Sequence, residues 1–353
     1  HAYPPRRYSL PSASWDKTVK LWRTDGSLIT TLKGHEDAVF GVAYSPDGKT
    51  LASASRDKTV KLWRTDGSLI TTLKGHEDAV NGVAYSPDGK TLASASRDKT
   101  VKLWRTDGSL ITTLKGHEDV VIGVAYSPDG KTLASASEDK TVKLWRTDGS
   151  LITTLKGHED LVIGVAYSPD GKTLASASYD KTVKLWRTDG SLITTLKGHE
   201  DAVFGVAYSP DGKTLASASR DKTVKLWRTD GSLITTLKGH EDKVNGVAYN
   251  PDSKTFVSVS DDKTVKLWRT DGSLITTLKG HDSAVWGVAY NPDGKTLASA
   301  SLDKTVKLWT LNFNLNDLLN RGCTWLHDYL HNPNNGMKPD DRDRHICDDV
   351  DAN

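Results

Sequence analysis

GHEDAVFGVAYSPDGKTLASASRDKTVKLWRTDGSLITTLK, residues Gly34 to Lys74, recurs without a gap down almost the whole chain. The stretch is 41 residues long, and residues 198–238 repeat it letter for letter. A fixed period in this range signals a stack or ring of identical supersecondary units. The chain therefore reads as eight copies of one unit, the first of them truncated, followed by a non-repetitive tail.

Punctuation within the unit predicts four strands. Ala38 to Tyr44 is short, apolar and β-rich, and Pro46-Asp47-Gly48 ends it in a turn. Thr50 to Ser55 is the second strand, closed by Arg56-Asp57-Lys58. Thr59 to Trp63 alternates as a third, and Thr65-Asp66-Gly67 turns the chain into a fourth, Ser68 to Leu73. Asp-Gly between alternating runs is a strong hairpin signal. Four antiparallel strands repeated at this spacing fit a β-propeller blade better than a sandwich or solenoid.

Gly34-His35 opening the unit, and Asp57 followed by Val60-Lys61-Leu62-Trp63, resemble the signature of the WD-repeat family. The resemblance covers roughly residues 1–309. One departure is consistent: the Asp that follows Trp in the family is Arg64, Arg105 and Arg146 here, and Thr310 in the last copy. The resemblance implies an all-β propeller and, in each blade, a hydrogen-bonded tetrad. In the first full copy its members are His35, Ser53, Asp57 and Trp63. They recur as His76, Ser94, Asp98 and Trp104, then as His117, Ser135, Asp139 and Trp145. The next two sets are His158, Ser176, Asp180 and Trp186, and His199, Ser217, Asp221 and Trp227. The last two are His240, Ser258, Asp262 and Trp268, and His281, Ser299, Asp303 and Trp309. A buried indole N–H needs an acceptor, and a buried Ser, His and Asp must satisfy one another.

Composition bounds the function. The chain has 353 residues, 36% apolar and 26% charged, with a formal net charge of +2, which is ordinary for a soluble protein. Each unit carries five acids against six bases, so there is no basic stripe of the kind nucleic acid requires. The two cysteines both lie in the tail, which excludes a disulfide framework. No apolar run approaches membrane-spanning length, and no signal peptide opens the chain. A cytoplasmic protein that binds neither nucleic acid nor membrane is expected.

The two ends break the pattern. Residues 1–22 set in register with Val42 to Trp63, with Ser12, Asp16 and Trp22 on tetrad positions. This copy, residues 1–33, lacks Gly-His and nearly all of a first strand, and Pro4-Pro5-Arg6-Arg7 replaces its first turn. It reads as a piece of something longer. Seven units then open at Gly34, Gly75, Gly116, Gly157, Gly198, Gly239 and Gly280. Eight second-to-third hairpins against seven intact first strands leave seven or eight blades open. Local pairing costs less loop entropy, which leans the expectation to eight. In the tail, residues 310–353, Leu315, Leu318, Leu319, Leu326, Tyr329 and Leu330 share a helical stripe, and Asn332-Pro333 ends it. The tail resembles the C-terminus of cyanobacterial WD-repeat proteins, whose propellers often follow a signalling NTPase domain. The features that carry this are Asp317-Leu318-Leu319, Arg321-Gly322-Cys323, Trp325-Leu326, Asp328-Tyr329-Leu330, Asn332-Pro333, and Asp343-Arg344-His345 with Cys347-Asp348.

Several chemical motifs resolve into structure. Catalysis by Ser, His and Asp needs one exposed pair beside an oxyanion hole, whereas here the set recurs in seven copies, each with a Trp. The repeated Gly48-Lys49-Thr50 fails the phosphate-loop spacing, because the residue five before Gly48 is Ala43. The Gly-His histidines sit 41 residues apart, too dispersed for one metal. Cys323, His327, His331, His345 and Cys347 are denser, and Cys323 is read as packing rather than as a zinc ligand. No metal, cofactor or catalytic residue is expected.

The copies differ in few places. Units one to five vary at only three of 41 columns. The first column reads Ala38, Ala79, Val120, Leu161, Ala202, Lys243 and Ala284. The second reads Phe40, Asn81, Ile122, Ile163, Phe204, Asn245 and Trp286. The third reads Trp15, Arg56, Arg97, Glu138, Tyr179, Arg220, Asp261 and Leu302. Residues 38 and 40 share one side of a strand, and Arg56 precedes the tetrad Asp57 at the same end. The three columns are expected to ring the top of the channel, the face on which the WD-repeat family binds peptides and proteins. Drift alone would scatter over all columns. The expected function is a non-enzymatic scaffold or sensor binding a protein or peptide there, as part of a larger signalling protein. The alternatives are a lectin-like multivalent glycan binder and an inert consensus-type scaffold.

Overall fold

The computed structural model describes residues 9–13, 15–23, 27–291, 294–303 and 305–311. The chain falls into two compact units, His1–Trp309 and Thr310–Asn353, and nearly all the described residues belong to the first.

Each full copy folds as the punctuation predicts. In the copy opening at Gly34 the strands are Val39–Tyr44, Thr50–Ser55, Val60–Arg64 and Leu69–Leu73, paired antiparallel in chain order. They are the inner, second, third and outer strands of a blade. The turns carry their own hydrogen bonds. Ser45 Oγ donates to Asp47 Oδ1 at 2.7 Å and Lys49 N donates to the same oxygen at 3.0 Å, with Gly48 at φ +68°. The Gly-Lys-Thr run is thus a hairpin turn. At the third-to-outer turn Asp66 Oδ1 accepts from Ser68 N at 2.8 Å.

The core lies between blades as well as within them. Leu51 to Ser55 are all buried, because the second strand has a neighbour on either face. Ala52, Ala54, Val60, Leu62 and Leu73 of one blade cluster with Val80, Leu92 and Trp104 of the next. A single unit cannot bury its apolar face alone, so the copies stabilise one another in sequence. Successive inner strands lie side by side, from Val39–Tyr44 beside Val80–Tyr85 on to Val285–Tyr290. Glycine permits this approach: a Cβ on Gly123 would stand 3.1 Å from the Ile163 carbonyl oxygen of the next inner strand.

The blade count corrects the lean to eight. Seven inner strands occur among the described residues, opening at Val39, Val80, Val121, Val162, Val203, Val244 and Val285. Eight came from counting second-to-third hairpins, but the inner strand lines the axis and follows the tetrad His, so it defines the blade. Six blades have four strands, and the seventh has three described ones, Val285–Tyr290, Thr296–Ser301 and Val306–Thr310. Among the described residues the truncated copy supplies a three-stranded sheet, Ser9–Ala13, Thr18–Arg23 and Leu28–Lys33. Ser9–Ala13 packs against the first inner strand and also meets Thr296–Ser301.

No helix occurs among the described residues, so the all-β part of the expected fold class stands without the helical addition. The tail stripe from Leu315 to Leu330, the Cys323–Cys347 cluster and the Pro4–Arg7 turn lie outside the described residues.

Candidate interaction face

The tetrads form in all seven blades. In the third, His117 Nδ1 stands 2.6 Å from Asp139 Oδ2 and Nε2 stands 2.7 Å from Ser135 Oγ, while Trp145 Nε1 donates to that same Oγ at 2.8 Å. One tautomer satisfies every group: Nδ1–H donates to the carboxylate, and Nε2 accepts from the Ser hydroxyl. The first and last blades repeat this, with Trp63 and Trp309 both 2.8 Å from Ser53 and Ser299. Every tetrad Ser is fully buried, from Ser53 to Ser299. An Oγ that is enclosed and already accepts an indole N–H has no path to a substrate carbonyl.

The carboxylate has more partners than the sequence revealed. Asp139 Oδ1 accepts from Thr141 N at 2.9 Å and Thr141 Oγ1 at 2.6 Å, and Oδ2 from Glu118 N at 3.0 Å. Burial pushes this acid up, but hydrogen bonds from His117 and Thr141 outweigh it and hold the carboxyl well below its ordinary range. The missed member is Thr141. Its signal was the Asp-Lys-Thr run in every copy, in which Asp caps its own turn two residues on. Sequence reading also missed a tie between blades, Thr50 Oγ1 to Tyr85 OH at 3.0 Å, repeated as Thr132 to Tyr167 at 3.2 Å.

The variable columns meet at one end of the blades. The third column is tied to the first through backbone, Arg97 N donating to Ala79 O at 2.9 Å and Leu302 N to Ala284 O at 2.9 Å. At two places the third column of one copy meets the second column of the next. Trp15 stands edge-on to Phe40 with centroids 6.4 Å apart, and Tyr179 lies 5.6 Å from Phe204. In the sixth blade all three columns join: Asp261 accepts from Asn245 Nδ2 at 2.6 Å and pairs with Lys243 Nζ at 2.9 Å.

Exposure separates the columns. Trp15 is 66% exposed, Trp286 53%, Leu302 43% and Phe40 37%. Arg56, Arg97 and Arg220 are exposed, and Asn81, Ile122, Glu138, Ile163, Tyr179, Phe204, Asn245 and Asp261 are half-buried. The first column departs from expectation, since Ala38, Ala79 and Ala202 are buried. Val120, Leu161, Lys243 and Ala284 are half-buried. The cause is a shift of register between Val39 and Gly41, a bulge that re-aims neighbouring side chains. Residue 40 is the extra residue of the bulge, and the Ala38 carbonyl oxygen accepts from Arg56 N at 2.9 Å.

Among the described residues, no helix is long and apolar enough to cross a membrane, and no group of three His, Cys, Asp or Glu side chains is placed to hold a metal.

Comparison with known proteins agrees with this geometry. The family profile described as WD domain, G-beta repeat matches residues 26–64, 67–105, 108–146, 149–187, 190–228, 231–269 and 272–310. Each match opens on an outer strand and runs through the following inner, second and third strands, which again counts seven. A probable cytosolic iron-sulfur protein assembly protein 1 from Neurospora crassa is 52% identical over 48 residues. That match covers 12% of this chain and 10% of the relative, well under two thirds of its length. With seven profile matches spread over most of its length, the chain belongs to the WD40 repeat family.

Proposed function

We propose that the chain is a non-catalytic scaffold that docks a protein or peptide on the face where its copies differ. WD40 propellers typically serve as protein-interaction scaffolds, and the finer assignment rests on one observation. The side chains that vary between otherwise matching copies are neighbours, Trp15 against Phe40, Tyr179 against Phe204, and Lys243 with Asn245 around Asp261. Tolerance of change would favour the exposed lysines and threonines scattered over the other columns. Large aromatic and arginine side chains, several of them exposed, are instead the types that dominate interface energetics. The buried Ala38, Ala79 and Ala202 contribute shape rather than contacts.

In this reading the propeller is the ligand-sensing part of a larger signalling protein, and the tail resemblance supports an upstream partner domain. The role of the Neurospora relative does not extend to this chain on 48 matched residues, little more than one 41-residue unit.

The test is a paired capture from lysate read by mass spectrometry. One bait is this chain, and the other has the second and third variable columns set to Ser. A partner held only by the natural face supports the assignment. Identical catches from both baits would mean that these columns are merely tolerant, and would overturn it.

A further inference from the structure

Beside the handover from one blade to the next, a different set of residues encloses a cleft. One such cleft, of about 430 Å³, is lined by Glu77, Asp98, Lys99, Lys102, Lys115 and His117, among others. Its counterpart, of about 470 Å³, is lined by the corresponding Glu241, Asp262, Lys263, Lys266, Lys279 and His281. Three lysines therefore converge on each cleft against two acids, and one of those acids is fully committed. Asp262 accepts from His240, Glu241 N, Thr264 N and Thr264 Oγ1.

The third-strand lysine is the informative member. Lys266 is only 8% exposed, and its Nζ donates to Thr277 Oγ1 at 2.9 Å. No carboxylate lies within 4.0 Å of it among the described residues. An ammonium carries three N–H donors, and a charge withdrawn from water is costly unless paired. Gly239, at φ +141°, lines the same cleft. Lys143 and Lys225, at 9% and 8% exposed, repeat the arrangement through Thr154 and Thr236.

We infer that these clefts are oxyanion sites. Each takes a phosphate- or sulfate-type group whose oxygens accept from the third-strand ammonium, nearly buried at Lys266 and half-buried at Lys102, with the two exposed lysines closing from the rim. The lysine–threonine pair recurs from blade to blade, so a chain bearing several such groups engages more than one site at an effective concentration set by its spacing. This inference is independent of the docking face: the cleft lysines belong to columns that do not vary.

The probe is inorganic phosphate, titrated into protein carrying 13Cε-labelled lysine and followed by NMR. The Lys266→Met variant assigns the Lys266 resonance, and Lys254→Met assigns an exposed turn lysine on the same blade as a control. A saturable shift of the Lys266 signal with phosphate and with sulfate is expected, with Lys254 unmoved and chloride at matched ionic strength without effect. A second arm uses linear polyphosphate. Saturation at much lower total phosphate assigns the natural ligand to chain-borne groups, and equal saturation per phosphate assigns it to the free ion. A Lys266 signal that does not saturate, or that moves equally with chloride or together with Lys254, overturns the proposal. The titration itself is made on the unaltered chain, and the variants serve only to assign its signals.

Discussion

The indole N–H of Trp145 donates to the Oγ of Ser135, and that Oγ is shared with the imidazole of His117. Removing the ring therefore opens a cavity and loosens the polar chain behind it. Trp145→Ala is expected to lower stability by about 3–5 kcal/mol, seen as a shift of the denaturant midpoint, while partners captured on the variable face are retained. Loss of capture at unchanged stability would contradict the structural role. Asp139→Asn keeps the shape but loses charge-assisted acceptors, and about 1–3 kcal/mol is expected from the donors left poorly matched. The tetrad acids also set an acid limit. His117 and Thr141 hydrogen bonds, outweighing burial, hold the folded carboxyl of Asp139 below its unfolded value, so the folded state binds fewer protons. That contribution is fully present above about pH 5 and is lost as pH falls through the unfolded value towards the folded pKa. Melting temperature should be level from neutral pH to about 5 and then fall, and less steeply in Asp139→Asn. An equally steep fall in that variant would remove the tetrad from the cause. The tetrads were legible through the resemblance to the WD-repeat signature, whose matching residues are present in seven copies. Thr141 was not, because a Thr two residues after an Asp is common in turns of every kind.

At the scale of the strand, the sequence was read to within about one residue at each boundary, because Pro-Asp-Gly and Thr-Asp-Gly place turns that demand φ above zero, as at Gly67 with φ +100°. The face presented by the first variable column was not legible. Period-2 alternation puts residues 38 and 40 on one side, and nothing in Asp-Ala-Val-Phe-Gly announces the slip between Val39 and Gly41. Gly41 and its counterparts have a second task, since they let inner strands approach one another around the axis. In Gly123→Ala the new methyl would meet the Ile163 carbonyl oxygen at 3.1 Å, an atom held in the neighbouring strand. Overpacking of this kind costs about 1–3 kcal/mol. The loss should appear as a lower denaturant midpoint at unchanged slope. A neutral result would mean that the inner strands can spread.

Ring closure is where local reading failed, and the reason is that identical copies carry no address. Leu28–Lys33 has the same Leu-Ile-Thr-Thr-Leu as every outer strand, and Thr18–Arg23 differs from the run 305–310 only in its last residue. Pairing rules therefore allow Leu28–Lys33 to join either Thr18–Arg23 or Val306–Thr310, and in the structure it takes the local partner. The consequence is visible at the other end. Val306 to Trp309 are only half-buried, whereas Val265 to Trp268 are buried, and no described strand covers that edge. Each family match, by contrast, begins with an outer strand and ends with a third strand, so a chain opening at residue 26 carries seven complete sets. In such a shortened chain Leu28–Lys33 has lost its local partner, and the packed blades already hold both ends of the ring near Ser9–Ala13's former place. The long-loop entropy that favours local pairing is then largely offset by contacts between blades. Residues 26–353 are expected to fold with one cooperative transition, and the Val306–Thr310 amides should exchange more slowly than in the full chain. Faster or unchanged exchange at those amides would show that the edge stays open, and that the seventh blade closes by some means other than the strand that opens the first match.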